Sequence, residues 1–344
     1  MDSFLGIDFP TLWFLVLGGV FTGYAVLDGF DLGAGALHLF FRKESSRRIA
    51  LNAIGPVWDG NEVWLVIAGG AMFAGFPAVY AAVFSAFYVP FMLFLTVLIF
   101  RAISIEFRSK EEMKWWRRTW DISYCLSSCL ISFLLGVVLG NVLLGIPIDE
   151  RGNFTGDFLY FLNPYSIMVG ITTLALFMMH GAIYLVMKTE DRLYAKLTIL
   201  VRNTTIFFSI CILLLSFYTL LYVPHLTNTI KENNWMFFIP VAMVFSIANV
   251  TRQIAKHKYR YAFISSAVTV SLLLIIVAVE LYPNMVLSSL DPAYNLTIYN
   301  ASSTNKSLGI LLTVAAIGVP LVIAYTTFVF WTFKGKVKLD EMSY

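Results

Sequence analysis

Asp28, Asp31 and Asp59 lie inside apolar stretches that are otherwise long enough to cross a bilayer. A charge at membrane depth costs at least about 2.5–3.5 kcal/mol on insertion scales, so acids retained there point to proton or ion chemistry. The text around them reads Ala25-Val26-Leu27-Asp28-Gly29-Phe30-Asp31-Leu32-Gly33 and, further on, Pro56-Val57-Trp58-Asp59-Gly60-Asn61-Glu62. The blander readings are a polar groove or a pairing with an arginine of a neighbouring subunit. Gly29, Gly33 and Gly35, beside the acids, suit close helix packing or backbone contact with a partner.

The elements that hold these acids follow from composition. The 344 residues are 59% hydrophobic and only 13% charged, with a mean hydropathy of +0.77. A soluble domain carries roughly 45–50% apolar and about 25% charged residues, so the reading is an all-α polytopic membrane protein. The net charge of +3 is small, and no stretch forms a nucleic-acid-binding patch. Cys125, Cys129 and Cys211 make no CxxC pair and read as buried packing residues. Asp2 and Asp8, without a basic n-region or a small-residue cleavage site, make the first apolar run a retained helix.

Candidate spans fall near 9–38, 51–75, 77–100, 121–145, 163–187, 202–223, 235–254, 261–282 and 307–333. The run at 51–75 is interrupted by Trp58-Asp59-Gly60-Asn61-Glu62, and on hydropathy alone it could be re-entrant. Loop charge decides its path, because cytoplasmic loops collect Lys and Arg. Basic loops hold Arg42 to Arg48, Arg101 to Arg118, Lys188 to Arg202, Arg252 to Arg260 and the Lys334–Lys338 tail. The connections 146–162, 224–234 and 283–306 are poor in base. The two kinds alternate only if 51–75 crosses, which gives nine spans with the N-terminus outside and the C-terminus cytoplasmic.

That orientation sets the depth of the acids. Asp31 lies about 11 residues before Arg42, roughly 16 Å along a helix, and Asp59 lies about 11 residues after Arg48. Asp28 shares a face with Asp31 at i,i+3. One three-acid cluster opening toward the cytoplasm is therefore expected. His38, His225 and His257 fall at helix ends or in a loop, where solvated roles are expected, and only His180 is deep in a span. A bis-histidine haem site needs two histidines at matching depth, so no redox centre is expected in this chain. No GxGxxG, P-loop or Cys/His metal set is present.

Asp28-Gly29-Phe30-Asp31-Leu32-Gly33, Arg47-Arg48 and Trp58-Asp59-Gly60-Asn61-Glu62-Val63-Trp64-Leu65 together resemble subunit II of cytochrome bd quinol oxidases. Phe84-Ser85-Ala86-Phe87-Tyr88, Phe107-Arg108-Ser109-Lys110, Trp120-Asp121, Gly140-Asn141 and Leu162-Asn163-Pro164-Tyr165 extend the resemblance along essentially the whole chain. It implies a haem-free subunit, built as two four-helix bundles plus a peripheral helix, that forms a heterodimer with subunit I. That partner carries the b-type and d-type haems and oxidises quinol with dioxygen. The resemblance also implies a bacterial or archaeal plasma membrane, and it leaves room for a structural quinone or lipid and for small accessory subunits. Asp28, Asp31 and Asp59 map onto a cytoplasmic proton path, and Trp64 onto a hydrophobic passage for dioxygen. One departure is His180, where the family pattern leads to Gln.

The chain is expected to be one integral membrane domain over 1–344, with an N-terminal bundle at about 1–145 and C-terminal helices at about 163–333. A proton-coupled secondary transporter is the alternative function. Transporters usually break helices in both halves, whereas here the polar interruptions are confined to the first two spans. A purely structural subunit is the third reading.

Overall fold

Asp8 starts the first long helix: its carboxylate accepts the Thr11 N–H at 2.9 Å, and Pro10 occupies the first turn, where no donor is needed. A computed structural model describes residues 3–4, 6–227 and 231–339; Asp2 lies outside them. Among the described residues there are eleven helices. They are α1 (Phe9–Ala36), α2 (Glu44–Ile54), α3 (Trp58–Gly75), α4 (Pro77–Ala86), α5 (Tyr88–Phe107) and α6 (Lys114–Leu144). α7 (Pro164–Lys188), α8 (Asp191–Tyr222), α9 (Phe238–Ala255), α10 (Tyr259–Leu281) and α11 (Asn305–Thr332) complete the set. Eight of them, α1 and α5 to α11, are long and apolar enough to cross a membrane, which makes this a multi-pass membrane protein.

The remaining expected span, 51–75, is divided. Helix α2 stops at Ile54, and Pro56, which has no N–H and disfavours helix in the residue before it, separates it from α3. The opening turns of α3 carry Asp59, Asn61 and Glu62, which keep it out of the set of helices long and apolar enough to cross a membrane. The expected span 77–100 is also divided, at Phe87, between α4 and α5. Helix α5 then runs on to Phe107, because Ala102, Ile103 and Ile105 keep the segment apolar beyond Arg101. Arg101 therefore lies inside a helix and not, as expected, in a basic loop.

The ends of the bundle sort by charge. Arg47 Nη1 and Arg108 Nε both bond to the Asp121 carboxylate, at 2.8 and 2.6 Å, so the start of α2, the end of α5 and the start of α6 lie at the same end. Lys196 bonds to Phe40 O there, and Lys336 Nζ donates to Thr189 O at 2.7 Å. At the opposite end the Ser303 N–H donates to Gly75 O at 2.8 Å, and the Ile146 N–H to Leu287 O at 2.9 Å. Helix α3 thus runs from the basic end to the opposite one, as the loop charges require.

Helix α1 packs against α3, α6, α7, α10 and α11. Its backbone comes close to that of α7: a Cβ on Gly33 would lie 1.8 Å from Phe177 O, and one on Gly181 2.5 Å from Ala34 N. The glycines beside the acids accordingly serve packing within this chain. Helix α11 lies along α1 and α3 with Leu308 as its one buried residue among those described.

Candidate functional site

Tyr24, Asp28 and Asp31 recur at i, i+4 and i+7 on α1, so they form one stripe on a single face. All three are buried, the two aspartates at 0% exposure. Helix α3 brings Asn61 and Glu62 to this stripe from its first two turns, and α5 brings Arg101, itself 0% exposed.

Arg101 joins the three helices. Its Nη2 donates to Asp28 Oδ1 at 2.8 Å, while Nη1 donates to Glu62 Oε2 at 2.9 Å and, weakly, to Asp28 Oδ2 at 3.5 Å. The planar fork of a guanidinium suits this division between two carboxylates. Asn61 Nδ2 donates to Asp31 Oδ2 at 2.7 Å and to Leu27 O at 3.2 Å, tying α3 to α1 a second time. Tyr24 Oη, Asp31 Oδ1 and Arg101 Nε are buried without a hydrogen-bond partner. Unsatisfied buried polar groups cost roughly 1–3 kcal/mol each, so three of them in one cluster set it apart as a candidate site.

The structure brings together Asp28 and Asp31 as expected, but not Asp59. That residue sits on an exposed face of α3, one turn before Glu62, and does not bond to the buried pair. The reason is rotation: Asn61 and Glu62 take the face of α3 that meets α1 and α5, which turns Asp59 outward. Sequence reasoning missed Arg101 and Glu62 as site members. The apolar residues after Arg101 were the signal that it belonged to a span.

Arg108 and Asp121 form a second polar cluster at the basic end. Besides Arg47 and Arg108, Asp121 bonds to His38 Nε2 at 2.5 Å, and Arg108 Nη2 reaches Glu44 Oε2 at 2.9 Å. His38 is 1% exposed, against the expectation of a solvated histidine, because Asp121 and the edge of the Tyr124 ring enclose it. His180 is also fully engaged. Its Nδ1 pairs with Ser266 Oγ at 2.7 Å, its Nε2 with Val26 O at 3.1 Å, and its ring stacks on Phe263 at 4.5 Å. Such a histidine fills a packed, hydrogen-bonded position. Among the described residues no group of three or more His, Cys, Asp and Glu could hold a metal ion.

A family model for cytochrome bd terminal oxidase subunit II matches residues 9–333. The chain belongs to that family. Cytochrome bd-I ubiquinol oxidase subunit 2 of Escherichia coli K12 is 32% identical over 370 aligned positions, with 98% of each chain covered. Cytochrome bd ubiquinol oxidase subunit 2 of Bacillus subtilis 168 is 32% identical over 332 positions, covering 96% of this chain and 97% of that one. A chain of the bd oxidase structure from Geobacillus thermodenitrificans shares the fold, with a TM-score of 0.79 at 19% identity over 94% of this chain and 98% of that chain. The chain is thus a subunit of a ubiquinol oxidase complex. Trp64, expected beside a dioxygen passage, is half-buried on α3 with its ring against Gly23 of α1; a Cβ at Gly23 would fall 2.6 Å from that ring.

Proposed function

We propose that this chain scaffolds a haem-bearing subunit I and delivers protons from the cytoplasm to that partner's oxygen-reducing site. The complex as a whole would oxidise quinol, as the relatives' description as ubiquinol oxidase subunits suggests. One observation carries the proton role: Asp28 and Glu62 share a single buried guanidinium, and Asp31, one turn from Asp28 on the same buried stripe, is held by Asn61 and not by a cation of its own. One cation balances one carboxylate. At membrane depth the others are tolerable only with a proton or a further cation, because an unpaired buried charge costs several kcal/mol. A cluster with more acids than bases is therefore a place where protons are held and exchanged. Glu62 stands at its edge, with 17% of its side chain exposed, and Asp31 at its buried end.

The basic end is the cytoplasmic one on charge grounds, which puts the N-terminus outside and the C-terminus inside a bacterial plasma membrane. Residues 1–344 are read as one membrane domain, and the stacking of Phe30 on Tyr184 at 4.1 Å, across the division between the two bundles, supports a single unit. Dioxygen, an apolar molecule, would approach beside Trp64, whose neighbours Val63 and Ile67 are exposed apolar side chains. The haems belong to the partner.

The test is Asp31→Asn in the assembled complex. Asparagine keeps the size and the bond to Asn61 but carries no exchangeable acid proton. The partner's haem absorbance should be unchanged, while quinol-driven oxygen consumption falls about tenfold or more, most steeply at high pH where protons are scarce. Wild-type turnover would remove Asp31 from the path, and loss of the haems would make it a structural residue.

A further inference from the structure

The tail after α11 turns back across the basic end of the bundle. The Val337 N–H donates to Lys188 O at 2.9 Å, and Lys188 Nζ donates to Phe333 O at 2.6 Å. Lys336 Nζ donates to Thr189 O at 2.7 Å and Val186 O at 3.3 Å. Between this strap, the end of α7 and the α2–α3 break lies a cavity of about 320 Å³. Lys188, Lys334, Lys336 and Lys338 line it, and among the described lining residues there is no carboxylate. Asn52 and Thr332 add an amide and a hydroxyl. Lys336 also feels Glu190 and Arg260, which oppose one another, and burial pushes its ammonium pKa down. An ammonium has three donors; Lys188 uses one on Phe333 O, so its remaining donors are available to a bound anion.

The flank of the cavity says what kind of anion. Leu321, Tyr325 and Phe328 recur at i, i+4 and i+7 on α11 and are exposed, forming an apolar stripe that leads up to Thr332 at the cavity mouth. Lys334 lies 4.8 Å from the ring of Trp331, the arrangement of an interfacial belt residue beside a basic one. A free anion would use the lysines alone. A cationic cavity continuous with an apolar stripe matches a molecule with a phosphate at one end and acyl chains at the other. We propose that this cavity binds the phosphodiester headgroup of an anionic phospholipid, whose chains lie along α11. Basic pockets at the ends of membrane helices recognise lipid headgroups in this way. The inference is independent of the proton-path reading.

The experiment uses the complete complex, delipidated in detergent and followed by native mass spectrometry. It is titrated with dioleoylphosphatidylglycerol, with dioleoylphosphatidylcholine, or with inorganic phosphate. The expected result is at least about tenfold tighter retention of one phosphatidylglycerol than of phosphatidylcholine. Lys334→Gln with Lys338→Gln, at exposed positions that hold no backbone carbonyl, should abolish that preference and leave the complex assembled. Lys256→Gln with Lys258→Gln, in another basic loop, should leave it intact. Equal retention of the two lipids, an unchanged preference in the Lys334/Lys338 variant, or displacement by inorganic phosphate at matching concentration would each overturn the proposal. Loss of assembly in that variant would overturn it as well, by making the two lysines structural.

Discussion

Arg101 and Asp28 form a buried ion pair at 2.8 Å with neither side chain exposed, and the same guanidinium holds Glu62 at 2.9 Å. Removing one member of a buried pair strands the other charge, at a cost of about 3–5 kcal/mol. Arg101→Leu should therefore lower the unfolding temperature of the complex sharply or prevent its assembly. Adding Asp28→Asn and Glu62→Gln to Arg101→Leu should recover most of the loss, because the stranded charges go with the arginine. Arg101→Lys should fall in between, since an ammonium cannot fork between two carboxylates. Thermal unfolding followed by size-exclusion chromatography reads all three; wild-type stability in Arg101→Leu would count against the pairing.

Glu62 and Asp59 are one turn apart on α3, yet only Glu62 reaches Arg101. Glu62→Gln should reduce oxygen consumption of the assembled complex more than Asp59→Asn, by about tenfold against a change of less than about twofold. The comparison is made at equal haem content across a range of pH. A larger effect from Asp59→Asn would move proton uptake to the exposed acid and away from the buried network.

Most spans, the basic end and the Asp28–Asp31 pair were legible in the sequence because hydropathy, loop charge and helical spacing are properties of single segments; the breaks within 51–75 and 77–100 were not. The family was legible by resemblance, in strings spread along the chain. What was hidden depends on how segments meet. The outward rotation of Asp59 follows from which face of α3 meets α1, and no one-dimensional pattern records that. Arg101 was misplaced because a charge is normally a boundary signal, and its partners, Asp28 and Glu62, are 73 and 39 residues away in sequence. His38 was misread for the same reason, its partner Asp121 being 83 residues distant.

Gly33 faces α7 so closely that a methyl group has no room. Gly33→Ala would place its Cβ 1.8 Å from the backbone oxygen of Phe177, and neither backbone can yield without separating α1 from α7. Overpacking of this kind typically costs about 1–3 kcal/mol, and here it would also shift Asp31, two residues earlier. Gly18→Ala, on the same helix with nothing within 4 Å of its Cβ, should be neutral or slightly stabilising, since alanine is the better helix former. Paired melting curves of the two variants make the check. Equal stability would show that the two helices can part at no cost.

Arg47 and Arg108 meet on Asp121, and that junction fixes the topology that fusions should report. A cytoplasm-dependent reporter fused after Lys338 should be active. The same reporter inserted between Asp149 and Asp157 should be silent, and one active only outside should work there. Insertions in 41–50 and 101–118 would disturb the junction, so truncation fusions ending at Lys43 and at Lys110 are the better probes, and both should read as cytoplasmic. They agree when the chain crosses an even number of times between them, which α3 in one direction and α5 in the other supply. Opposite readings at Lys43 and Lys110 would mean that α3 does not cross. The shared bonds of Arg47 and Arg108 to Asp121 would then be impossible in the membrane, and the charge-based orientation would fall with them.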